Sequence, residues 1–124
     1  MIYVIEALVD TGFLPDDRAL VKIGTATDVE KRRQALQGPC PFELVLLIVG
    51  PGDPADEYRL HARYADQRWR GEWFALTDDE LIDLIRTLRQ QWTTAVDETQ
   101  QIVREVFTAA AAELDQAQRL DNRA

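Results

Sequence analysis

Val21-Lys22-Ile23-Gly24-Thr25-Ala26-Thr27-Asp28-Val29-Glu30-Lys31-Arg32-Arg33 is the stretch from which the fold is read. Val21-Lys22-Ile23 predicts a short strand in which Lys22 faces opposite to its neighbours. Gly24 ends that strand, because glycine turns without a Cβ penalty. Thr27 or Asp28 then caps a helix whose first turn carries Glu30. Lys22 thus stands at a strand end and Arg32 on the next helix, two cations on adjacent rigid elements that can grip an anion. The alternative is that Arg32 and Arg33 form one solvated helix face, as runs of charge commonly do.

Upstream, Met1 to Leu8 is β-branched and aromatic around Tyr3 and predicts the first strand. Val9 to Arg18 holds Gly12, Pro15, Asp16 and Asp17 and reads as a long loop. Ala19 to Ile23 returns as the second strand of an antiparallel hairpin. Downstream, the helix runs to about Gln37, and Gly38-Pro39-Cys40-Pro41 stops it. Phe42 to Val49 is nearly continuous apolar, which predicts a strand buried on both faces at the centre of a sheet. Asp53 caps a second helix over about Pro54 to Gln67, with Leu60 and Tyr64 as its apolar stripe. Arg68 to Leu76 sets Trp69, Trp73 and Phe74 around Gly71. These rings either pack on the sheet or stack on a base. Thr77 caps a third helix with apolar residues at helical spacing almost to the C-terminus. The expected division is a domain over residues 1–90 and an amphipathic helical extension over 91–124, which folds back or pairs with a second copy.

Composition narrows the classes. A chain of 124 residues suits one main core. No apolar run approaches the ~18 residues of a membrane span, and no secretory leader is predicted. Cys40 is the only cysteine, which leaves no intrachain disulfide and no cysteine-based zinc site. A cytoplasmic location is the expectation. The net charge of −8 argues against a generic nucleic-acid coat. The excess is uneven: residues 77–124 hold five basic and ten acidic residues, against nine and twelve in residues 1–76. In the first part Lys31, Arg33, Arg59, Arg63, Arg68 and Arg70 form, with Arg32, a candidate basic face for nucleic acid.

Tyr3, Lys22, Arg32, Glu57, His61 and Glu72 are the residues that carry chemistry. Phosphodiester hydrolysis uses such an assortment. A carboxylate holds a divalent metal, a cation offsets charge on the phosphate oxygens, and a phenol or amine positions the nucleophile. His61, one turn from Glu57, is either a site residue or a hydrogen-bonded structural histidine.

Order and spacing make the set specific. Met1-Ile2-Tyr3, Lys22-Ile23-Gly24, Asp28-x-x-x-Arg32-x-x-x-Leu36-Gln37, Glu57-x-x-Leu60-His61 and Gly71-Glu72-Trp73-Phe74 follow one another in the chain. This series resembles the GIY-YIG nuclease superfamily, in the phage and bacterial branch whose second motif reads Lys-Ile-Gly. The resemblance covers roughly residues 1 to 90. It implies an α/β (α+β) sandwich with a central three-stranded antiparallel sheet flanked by helices, here with a long C-terminal helical extension. It also implies a metal-dependent endonuclease using Mg²⁺ or Mn²⁺ held by Glu57, with Tyr3 near the nucleophile and Arg32 on the scissile phosphate. Met1 replaces the first motif's glycine and Lys22 the second motif's tyrosine, where lysine serves most simply as a phosphate-binding cation. Glu72 stands where much of the superfamily has asparagine.

The expected function is hydrolysis of DNA, with RNA a possible substrate too, and with a homodimer through the C-terminal helix as a possible assembly. Two other readings share the sequence: a nucleic-acid-binding or regulatory protein without efficient turnover, and a protein-interaction module.

Overall fold

Runs rich in β-branched and other apolar residues build three long strands, and the chain assembles them into a larger sheet than the sequence predicts. The computed structural model describes residues 1–121. Strands β1 (Ile2–Leu8), β2 (Ala19–Thr25), β3 (Glu43–Gly50), β4 (Arg68–Arg70) and β5 (Trp73–Leu76) form one antiparallel sheet in the order β3-β1-β2-β5-β4. Helices α1 (Val29–Gln37), α2 (Pro54–Arg63) and α3 (Asp78–Asp121) and 3₁₀ turns at Pro15–Asp17 and Ala65–Gln67 complete the order. The fold is α+β.

Five strands correct the expected three-stranded sheet. β4 and β5 have three and four residues, too short for alternation to register as a strand signal. Their identity comes from pairing. Val21 and Lys22 of β2 lie opposite Phe74 and Trp73. β3 is likewise an edge strand and not the sheet centre. Its apolar run is mostly half-buried, because one side of it has no strand.

The β4–β5 connection is the two-residue turn Gly71-Glu72, with Gly71 at φ +56°. Glycine at the first central position is what such a hairpin turn requires. A Cβ there meets open space, so Gly71→Ala costs only the left-handed backbone penalty. Thermal melts are expected to show a loss of about 1–2 kcal/mol.

The sheet has a core on each face. On one side Ile2, Val4, Val21, Ile23, Phe74 and Leu76 pack under Leu60 and Tyr64 of α2 and Leu84 and Leu88 of α3. On the other, Tyr3, Ile5, Ala7, Leu20 and Leu44 pack under Val29 of α1 and Leu14 of the hairpin loop. Asp28 caps α1 by accepting from the Lys31 N–H. Asp53 and Asp56 close a capping box on α2, with Pro54 at its first turn. Thr77 and Glu80 do the same for α3. Tyr64 Oη donates to Asp83 (2.9 Å), and burial, helped by that carboxylate, pushes the phenol up to about 12.

Residues Met1–Trp92 form one compact unit and Thr93–Ala124 a second. In the second unit, helical by residues 98–119, Ile102, Val106, Phe107 and Leu114 are exposed. No helix among the described residues is long and apolar enough to cross a membrane.

Candidate functional site: a carboxylate pair at the end of the β1–β2 ladder

Gly24 lies inside β2, not in a turn, and directly opposite Tyr3 of β1. Its role is close approach. A Cβ built on Gly24 meets the Tyr3 hydroxyl and sits 2.6 Å from its Cζ. The ring is buried, and it crosses the ladder only because Gly24 has no side chain.

Three segments meet at this end of the sheet. Lys22, on the Tyr3 face and 8% exposed, donates from Nζ to Glu72 Oε2 at 2.7 Å, with the Trp73 ring 5.9 Å away. The β4–β5 turn delivers Glu72, and the Ile23 N–H donates to the Glu72 carbonyl (3.3 Å). Glu57 comes from the first turn of α2. Its Oε2 accepts from Thr25 Oγ1 at 2.7 Å, and its Oε1 is 3.7 Å from His61 Nε2. The end of β2 thus holds a carboxyl from each of two elements, Glu72 through Lys22 and Glu57 through Thr25.

His61 Nε2 is 2.8 Å from the Ile23 carbonyl oxygen. A carbonyl only accepts, so Nε2 carries the proton. With its ring tilted on Phe74 at 5.2 Å, the histidine ties α2 to the end of β2 and steadies Glu57 one turn away.

Burial raises the Glu72 carboxyl, but the Lys22 ammonium outweighs it and holds Glu72 below the usual carboxylate range. A group depressed on folding contributes stability above its unfolded value, ~4.3 for glutamate, and loses it as pH falls through the folded value. The gap in thermal midpoint between wild type and Glu72→Gln is therefore expected to be full at neutral pH and to close in acid below that range. A gap that is constant with pH contradicts the pair.

The basic residues separate into two groups. Arg33 is taken up by Glu30 and the Leu44 carbonyl, Arg59 by Asp56 at 2.9 Å, and Arg63 by Asp83 and Thr87. Arg68 lies 5.4 Å over the Phe74 ring. By contrast the side chains of Lys31, Arg32 and Arg70 are exposed and have no hydrogen-bond or ion-pair partner among the described residues. Arg32 rises from α1 on the sheet face that Tyr3 and Lys22 share.

Thr25 is the site residue that motif reading missed. Its signal was a hydroxyl directly after Lys22-Ile23-Gly24, where a strand end leaves a side chain free to reach a neighbouring helix.

No curated protein and no solved structure matches the chain. The model of the T5orf172 domain matches residues 1–106, most of the chain and every residue of the cluster just described, and so the protein belongs to the T5orf172 domain family, whose fold is nuclease-related.

Proposed function

We propose that the chain is a metal-dependent endonuclease of GIY-YIG type that hydrolyses phosphodiester bonds in DNA. The observation that carries this reading is that the end of β2 holds two carboxylates from separate elements, Glu72 on the buried Lys22 and Glu57 on Thr25. Carboxylate pairs gathered at the end of a sheet cost stability and call for a ligand or a charge partner.

The donor set suits Mg²⁺ or Mn²⁺, which take one or two carboxylates and keep several waters. Among the described residues no group of three or more His, Cys, Asp or Glu is placed to hold a metal ion, so the side chains would supply at most two carboxylates and water the remaining ligands. Glu57 holds the ion in this reading, with Glu72 beside it. An ion held there would supply polarisation of the scissile phosphate and offset charge on the leaving oxygen. Arg32, whose guanidinium has no partner among the described residues, stabilises the phosphate oxygens as they gain charge. Tyr3 orients the attacking water through its phenol. Lys22, steered by Glu72, is a phosphate-binding cation. Thr25 and His61 are positioning residues for Glu57.

Cleavage of supercoiled plasmid and of labelled single strands in Mg²⁺ or Mn²⁺, with EDTA and Glu57→Ala as controls, tests this. A second reading, binding without turnover, is favoured by the Lys22–Glu72 ion pair, which engages two of the site's charged groups with each other. Salt-sensitive binding of DNA with no product in any metal is its signature. Pairing of two chains through residues 91–124 is part of the proposal. Light scattering with and without that segment measures it, and a monomer in both cases removes it.

A further inference from the structure

A half-exposed aromatic cluster lies close in the chain to the carboxylate pair. Trp69 is 49% exposed and Phe13 43%. Their ring centroids are 5.8 Å apart, and Phe13 meets Phe42 edge-on at 5.2 Å. Trp69 sits on β4, the last strand of the sheet, where pairing is irregular: Arg68 lies opposite Phe74 and Arg70 opposite Trp73. Trp69 is thus the extra residue of a bulge, a device that re-aims a side chain. Arg70, opposite Trp73, falls on the Tyr3–Lys22 face of the sheet. Only Arg70 and Gly71 separate Trp69 from Glu72, at most about 10 Å of chain.

We propose that this patch is a stacking platform for an unpaired stretch of DNA leading into the carboxylate site. A tryptophan offers its face to a base only if that base is out of a duplex. Arg70 on β4, and Arg32 and Lys31 on α1, have no partners among the described residues and match the charge of the strand's phosphates. A cleft of about 330 Å³ opens beside Trp69, with Gln67 and Asp66 on its wall, giving an unstacked base a place with polar edges. Arg68 and Arg70 also protect an edge strand from pairing with another chain. Edge protection needs charge alone, however, and gives no reason for a half-exposed tryptophan resting on a second exposed ring. The commitment to DNA rests on the nuclease reading above. The stacking itself does not.

The test is anisotropy of a labelled single strand of about twelve nucleotides and of the same sequence as a duplex, in EDTA so that cleavage plays no part. The single strand is expected to bind about tenfold more tightly than the duplex. Trp69→Ala is expected to lose about tenfold and Trp69→Phe to keep most of the affinity. Arg70→Ala is expected to lower the salt slope by about 0.7. Circular dichroism confirms that the variants fold. Equal affinity for both forms, or Trp69→Ala binding like wild type, overturns the platform even if the protein cleaves DNA. Trp69-dependent single-strand binding without cleavage in any metal supports the platform and removes the nuclease reading. A single-stranded RNA of the same sequence that binds tenfold more tightly than the DNA strand overturns the assignment to DNA.

Discussion

Glu57→Ala is expected to abolish DNA cleavage, by about 10³-fold or more, while the protein stays folded. The size follows from the role. Glu57 is the carboxylate proposed to hold the divalent ion, and loss of one electrostatic contact to a transition state alone removes about 10²–10³ in rate. The fold survives because the start of α2 is held by the Asp53–Asp56 capping box, and α2 is anchored by Leu60 and by the His61–Ile23 hydrogen bond, none of which involves Glu57. The geometry also sets a graded companion. Thr25→Val removes the donor 2.7 Å from Glu57 Oε2 but keeps shape and volume. It is expected to cost about 10–100-fold, as loss of outer hydrogen bonds to a metal carboxylate does. Thr25→Ser is expected to recover most of this. Isothermal titration with Mg²⁺ reads the same order without turnover. Wild-type cleavage by Glu57→Ala, with metal still required, sinks the assignment of the ion to this carboxylate.

Gly24→Ala carries the largest expected effect on stability. The added methyl would sit 2.6 Å from Tyr3 Cζ, against about 3.5–4.0 Å for carbon atoms in contact. Tyr3 cannot yield easily, because its ring is buried in the core cluster under α1, with Val49 opposite it on β3. The cost is expected at the upper end of the ~1–3 kcal/mol typical of overpacking, a drop in Tm of about 10 °C or more. Tyr3→Leu, which clears the space over residue 24, supplies the control. In the double variant the penalty for Gly24→Ala is expected to shrink by about 1 kcal/mol or more, the coupling seen between residues in contact. Equal penalties in both backgrounds show that Tyr3 does not set the requirement for glycine. Under the proposed mechanism cleavage is expected to fall with the same contact, since a displaced Tyr3 moves its hydroxyl.

The local chemistry of this chain is legible in its residues. Asp28, Asp53 and Thr77 announce three helix starts, because a capping side chain acts on backbone groups only two or three residues away. The β-branched runs within Met1–Leu8 and Ala19–Ile23 declare strands for the same reason: the preference for a strand is a property of neighbours. The motif spacing also marked Glu57, Glu72 and Lys22 as residues of interest. Other features lay beyond the sequence because they depend on partners far along the chain. Arg68–Arg70 and Trp73–Leu76 are strands only because β2 has a free side to pair with, and that pairing makes the sheet five-stranded and leaves β3 at an edge. Gly24 looks like a turn until Tyr3 is placed over it. Arg33 and Arg63 look like Arg32 until ion pairing is known: Glu30 and Asp83 take the first two, while Arg32 has no partner among the described residues. Sequence by itself determined which residues could do chemistry and where the helices begin, since those depend on short-range hydrogen bonds. Tertiary structure alone decided which of them meet, because Lys22 to Glu72 and Thr25 to Glu57 are contacts across 50 and 32 residues, and only the closing of the sheet brings such distant side chains within hydrogen-bonding distance.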